Sequence, residues 1–96
     1  MRVKFLTPAR HDLLRAVQYL EEVAPAMAAR FLDEVDEAKD LIAEFPRLGA
    51  SATRGTRRVQ LHSFPYSLVY RIDDEVIFVF AVRHHSRDPE YWESRL

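Results

Sequence analysis

The chain concentrates its chemically capable side chains in one stretch, Val82-Arg83-His84-His85-Ser86-Arg87-Asp88-Pro89-Glu90-Tyr91-Trp92. Arginine holds phosphate or carboxylate through a planar fork of donors, and Arg83 and Arg87 supply two such forks. Histidine titrates near neutral pH, so His84 and His85 can carry protons. Tyr91 adds a phenol that donates a hydrogen bond or stacks on a base. These are the parts needed for attack of a ribose 2′-hydroxyl on its own phosphodiester: a base, an acid and cations on the phosphate. Each part also has an ordinary structural explanation. A histidine can face the core or pair with a carboxylate, Arg87 can bond Asp88 or Glu90, and Trp92 can cap an apolar sheet edge. His84 and His85 are neighbours at a strand end, so their side chains should point to opposite faces.

Other chemistries fail on inventory. The chain has no cysteine, which excludes disulfides, thiolate catalysis and cysteine-based zinc sites and is compatible with a reducing cytoplasm. Its two glycines, Gly49 and Gly55, cannot build a phosphate-cradling loop. Ser63 and Ser86 lack the setting of a nucleophile. The histidines His11, His62, His84 and His85 form no helical pair at metal-ligand spacing, so neither a metal nor a cofactor is expected. The longest apolar run, residues 76–82, is far short of the ~20 residues of a spanning helix, and the N-terminus has no apolar stretch of signal-peptide length. The expectation is a single domain over residues 1–96, cytoplasmic and without a membrane partner.

The elements that must position this segment can be read from periodicity and punctuation. Val3 and Phe5 alternate with polar residues over 2–6, a short strand. Thr7-Pro8 opens a helix, with Thr7 expected as the capping residue and Pro8 at the first helical position. Leu13, Leu14, Val17 and Leu20 form its apolar stripe. A second helix starts at Pro25 and carries Met27, Phe31, Val35, Ala38, Ile42 and Phe45, widened by Leu32 and Leu41. Phe45-Pro46 stops it. The connection over 47–56 holds both glycines and is the expected mobile segment. Strands follow around Val59, over 68–72 and over 75–83, the last buried on both faces, with Asp73-Asp74 as the hairpin turn. The result is an α+β fold of order βααβββ: a helical hairpin on a mainly antiparallel sheet, ending in a short tail.

Charge is segregated although the net charge is only −1. Residues 25–45 hold six acids and two bases, whereas residues 47–71 hold five arginines (Arg47, Arg54, Arg57, Arg58, Arg71) and no acid. Such polarity can steer a partner toward one face, or can be two solvated surfaces of opposite sign.

Phe64-Pro65-Tyr66-Ser67-Leu68-Val69-Tyr70-Arg71-Ile72, Val79-Phe80-Ala81-Val82-Arg83-His84, and Arg87-Asp88-Pro89-Glu90-Tyr91-Trp92 with Arg95 together resemble the C-terminal half of ParE-type plasmid-stabilisation toxins. Thr7-Pro8-Ala9, Tyr19-Leu20, Ala29-Arg30-Phe31 and Phe45-Pro46-Arg47-Leu48-Gly49 extend the resemblance to the RelE/ParE superfamily over nearly the whole chain. It implies the toxin of a bacterial type II toxin–antitoxin system, in hetero-oligomeric complex with a cognate antitoxin. It further implies one of two activities: growth inhibition through DNA gyrase, as in ParE-like members, or ribosome-dependent cleavage of mRNA, as in RelE-like ones. By this resemblance Tyr91 falls at a catalytic tyrosine of the nucleases, Arg58 at a basic position and His85 at an arginine. Ser67 and Gln60 replace two further cations, which points to gyrase. His85 and Tyr91 would be catalytic on the nuclease reading, and Arg58, Arg83, His84 and Arg87 are the expected target-binding residues. A third reading is an inactive toxin that only binds its antitoxin.

Overall fold

The computed structural model describes residues 1–86 and 90–96, the side chains of residues 90 and 91 excepted. The elements are β1 (Arg2–Phe5), α1 (Thr7–Val23), α2 (Pro25–Glu44), β2 (Ala50–Ser51), a 3₁₀ turn (Thr53–Gly55), β3 (Arg57–Gln60), β4 (Tyr66–Asp73), β5 (Val76–His84) and α3 (Glu90–Glu93). The strands make one sheet in the order β1-β5-β4-β3-β2. Only β1 runs parallel to its neighbour. The α+β class and the βααβββ order are as the sequence implies, with β2 and α3 as additions to it.

The helical hairpin covers one face of the sheet. Phe31, Val35 and Ile42 of α2 meet Leu68, Tyr70, Ile77, Val79 and Val82 in a single core cluster. A fully buried side chain of this kind contributes about 1.5–3 kcal/mol, so this layer holds the molecule together. The stripe of α1 is rotated from expectation. Ala9, Asp12 and Ala16 are its buried residues, and Leu14 is 54% exposed. Small alanines let the helix approach the sheet closely, and the bulkier Leu13, Val17 and Leu20 fill the flanks. On α2 the middle of the expected stripe is buried, but its ends, Met27 and, just past the helix, Phe45, are exposed, as are Leu32 and Leu41, expected to widen it. Asp33, Asp36, Glu37 and Asp40 face solvent, whereas Glu34 is buried and accepts the Ser63 N–H at 2.7 Å.

Punctuation explains most boundaries. Thr7 does not cap α1: it is the first helical residue, Leu6 stands at the cap, and no side chain bonds there. Leu6 still donates its N–H to Val79 O (3.0 Å), which keeps it extended and moves the start of the helix one residue on. Ala24 alone joins the helices, and Pro25 begins α2. The 47–56 connection is tied down rather than loose. Tyr70 donates its hydroxyl to Pro46 O (2.7 Å) and accepts the Gly49 N–H (3.0 Å), while Arg57 reaches Arg47 O and Gly49 O. A Cβ on Gly49 would lie 2.6 Å from the Tyr70 hydroxyl, so the contact requires glycine.

The β4–β5 hairpin turns at Asp74-Glu75, one residue beyond the expected pair, with Asp74 in the left-handed region (φ 58). Pairing then shifts: Tyr70 opposes Val79 but Val69 opposes Ala81, leaving Phe80 as an extra residue in a bulge. On the face away from the helices, Val69, Ala81 and Trp92 form a second small cluster with Leu96 packed against it. Among the described residues no helix is long and apolar enough to cross a membrane.

Candidate functional site

The end of β5 and the turn after it place the functional side chains. His85 donates its backbone N–H to Pro65 O (2.8 Å), which pins the turn to the β3–β4 connection. Tyr66 pairs with His84 and Ser67 with Arg83 across β4 and β5. Adjacent residues in a strand face opposite ways, so His84 and His85 part company here.

His85 lies on the open face. Its Nε2 sits 2.9 Å from the Ser67 hydroxyl, which is completely buried. Desolvation, with the charges of Arg83, His84 and Arg58 behind it, holds the imidazole below its ordinary value of 6.5, against a backbone hydrogen bond at Tyr66 that favours protonation. The histidine is therefore held toward its neutral form, with the Ser67 hydroxyl as a fixed partner for one nitrogen. Such a ring can accept a proton.

Arg58 projects from β3, exposed, into an open cleft of about 310 Å³ whose walls include Val69, Arg83, Trp92 and Thr53. Arg83 forms part of the wall and is 9% exposed. Its pairing with Ser67 keeps it on the sheet surface, close to Trp92. Three expected site residues, Arg58, Arg83 and His85, are thus brought to one face.

His84 is separated from them. Its ring meets Tyr66 edge to face at 4.9 Å, and Tyr66 in turn meets Phe31 at 5.0 Å. His84 Nδ1 accepts the Ser86 N–H (3.0 Å) and is 2.7 Å from its hydroxyl, so the proton of the neutral ring is on Nε2. It lines a different cleft, about 280 Å³, between α1 and the end of β5 with Arg15, Tyr19 and Tyr66. Burial, and the phenol of Tyr19 nearby, push the Tyr66 hydroxyl above its ordinary value. Arg87 and the side chain of Tyr91 lie outside the described residues. Among the described residues no three His, Asp or Glu side chains gather as metal ligands.

Sequence reasoning missed two features. The first is Ser67 as the partner of His85, 18 residues away and visible only once the strands are in register. The second is Asp12, a carboxylate 5% exposed on α1. Arg95 grips it with two donors (2.7 and 3.1 Å), Arg15 adds a third (2.8 Å), and the Val82 N–H a fourth (3.1 Å). Arg95 also bonds Phe80 O at 2.9 Å. Pairing of β1 with β5 ends at Val79, so this ion pair occupies the edge that a longer β1 would have filled. The only hint in the sequence was a charged residue between Ala9 and Ala16 at helical spacing.

Comparison with known proteins bears on what this arrangement serves. The family model described as the ParE toxin of the type II toxin-antitoxin system parDE matches residues 3–89. Toxin ParE2 of Mycobacterium tuberculosis is 29% identical over 96 residues, covering 99% of this chain and 91% of that one. A chain from the RelBE2 toxin–antitoxin complex of M. tuberculosis is 31% identical with a TM-score of 0.53, covering 86% of this chain and 95% of that one. The chromosomal ParDE system of P. aeruginosa contains a chain of the same fold, TM-score 0.77 at 20% identity, covering 88% and 95%.

Proposed function

Because the chain belongs to the ParE toxin family of type II toxin–antitoxin systems, we propose that a cognate antitoxin binds and silences it, and that the free toxin arrests growth by inhibiting DNA gyrase. The 96 residues act as one unit in the cytoplasm on this reading. Similarity to a chain from a RelBE2 toxin–antitoxin complex supports the antitoxin partner. The observation that carries the gyrase-directed activity is the make-up of the open face. Among the described residues the cations beside His85 are Arg58, exposed, and Arg83, nine-tenths buried, while Ser67, which by the resemblance replaces a cation of the nucleases, offers only a wholly buried hydroxyl. Cleavage of a phosphodiester builds charge on the phosphate, and each missing donor costs about 2.7–4 kcal/mol of transition-state stabilisation. A face whose one exposed arginine among the described residues is Arg58, at its rim, suits a protein contact better.

One observation favours mRNA cleavage as the second reading. His85, held toward its neutral form beside Ser67, would serve on that reading as the base that takes a proton from a 2′-hydroxyl. The two activities separate on induction of the toxin alone. Inhibition of gyrase stops supercoiling by the purified enzyme and leaves translated mRNA intact. Ribosome-dependent cuts within minutes, with supercoiling unaffected, would replace it by the nuclease reading. Normal growth with antitoxin still bound would mean an inactive toxin.

A further inference from the structure

The cleft between α1 and the end of β5 belongs to neither activity. Its floor is Asp12, whose carboxylate is already spent on Arg95, Arg15 and the Val82 N–H. Asp12 thus pairs with two guanidiniums, and that of Arg15 stays open to solvent, its side chain 60% exposed. The walls are aromatic: Tyr66 and His84 on the sheet side, and Tyr19, itself 60% exposed, on the helix side. Large aromatic surface at the mouth of a cleft beside a cation is the composition of an interface anchor.

The direction of the surface leading from the cleft says what fits. Asp12, Ala16, Tyr19 and Val23 follow at helical spacing along α1, and Val23 is 58% exposed. Beside them run Arg15, Tyr19 and Glu22, again one turn apart, with Glu22 exposed. The stripe is thus positive at the cleft and negative about 10.5 Å further on, seven residues at 1.5 Å each, with apolar surface between. A phosphodiester chain repeats one charge and would meet the Glu22 end unfavourably. A peptide carrying an acidic residue, then apolar or aromatic residues, then a basic residue matches it along its length.

We infer that this cleft is the anchor point of the antitoxin: an acidic residue of the antitoxin pairs with Arg15, an adjacent apolar or aromatic side chain fills the space between Tyr19 and the Tyr66–His84 wall, and a basic residue meets Glu22. The inference rests on the reading that an antitoxin binds the chain. The anchor lies on the opposite side of β5 from Arg58 and His85. Occupied, it leaves that face reachable unless another part of the antitoxin covers it.

The probe is the product of the short reading frame expected beside this gene, co-expressed with the full chain and then titrated by calorimetry. Arg15→Gln and Tyr19→Ala should each weaken binding about tenfold or more, the scale of lost interface anchors. The Tyr19 side chain is mostly exposed, so the melting temperature of free Tyr19→Ala should match the parent. Arg15→Gln keeps an amide donor for Asp12 and is compared with the parent at a temperature where its own melt shows it folded. Unchanged affinity in both variants would overturn the cleft assignment while leaving the toxin–antitoxin reading intact. Absence of any complex with the unaltered chain would overturn that reading first, and the anchor with it. A single-stranded RNA oligonucleotide is the second probe: binding that Tyr19→Ala removes would assign the cleft to nucleic acid instead.

Discussion

Arg95→Ala should be among the most damaging single substitutions in this chain, although residue 95 stands next to its end. The Asp12 side chain is 3% exposed and that of Arg95 17%, and two bonds of 2.7 and 3.1 Å join them. Removing one partner of a buried ion pair usually costs about 3–5 kcal/mol, because the other charge stays buried without compensation. Here Arg15 and the Val82 N–H still hold the carboxylate, which places the loss near the lower end, about 3 kcal/mol. For a domain this small that is a fall of roughly 12–24 °C in melting temperature, at about 4–8 °C per kcal/mol. Apolar replacement of both partners should not rescue it. It would leave Phe80 O and the Val82 N–H without their side-chain partners, at about 1–3 kcal/mol for each buried group. Urea and thermal melts give the free energy, and native-state hydrogen exchange at the Val82 amide reports the edge directly. A variant that melts with the parent and keeps Val82 protected would refute the idea that this pair closes the β5 edge.

Three further outcomes can be checked on the same material. Gly49→Ala should lose about 1–3 kcal/mol by overpacking, since its Cβ would fall 2.6 Å from the Tyr70 hydroxyl, and exchange at the residue 49 amide should accelerate. Trp92→Ala should cost about 3–5 kcal/mol in thermal melts, because the indole is 5% exposed over Val69 and Ala81. The depressed value of His85 has a sign: the unfolded chain takes up its proton at about 6.5 while the folded one resists. Stability should therefore fall as pH drops from 6.5 through the lower folded value, and His85→Gln should flatten that limb of a pH–stability curve.

Chain punctuation was legible in the sequence, and so were helical period and the phase of α2, but not which face of α1 approaches the sheet most closely. Pro25 and Pro46 mark boundaries because proline restricts its own backbone and its predecessor's whatever the tertiary context. The stripe of α1 was placed on leucines, whereas the sheet selects Ala9, Asp12 and Ala16 for close approach. Nothing local announces that Asp12 will be buried, since its main partner is 83 residues away. Two-residue β2 has no pattern to read; Tyr70, Arg57 and Gly49 fix the chain leading into it. The Ser67–His85 contact depended on register. A turn at Asp73-Asp74 without a bulge would set Ser67 opposite Phe80; the observed turn and bulge set it opposite Arg83.

The bulge at Phe80 decides which side chains share the open face. Val79 points into the helical core, so unbroken alternation would send Ala81 and Arg83 there as well, and turn Val82 and His84 outward. That arrangement would turn a guanidinium toward the core beside Phe31 and Leu68 and expose a valine. One extra residue reverses the phase: Val82 joins the core cluster, Ala81 joins Trp92 on the other face, and Arg83 leaves the core. His84 is delivered to the α1 cleft by the same step. The uninterrupted apolar run over 76–82 carries no sign of this, because both phases bury apolar residues equally well. What holds the bulge in place is the Asp12–Arg95 pair, whose bonds to Phe80 O and the Val82 N–H flank Ala81, the residue directly after it. A pairing between α1 and the penultimate residue thus sets which face of β5 each of the functional side chains occupies.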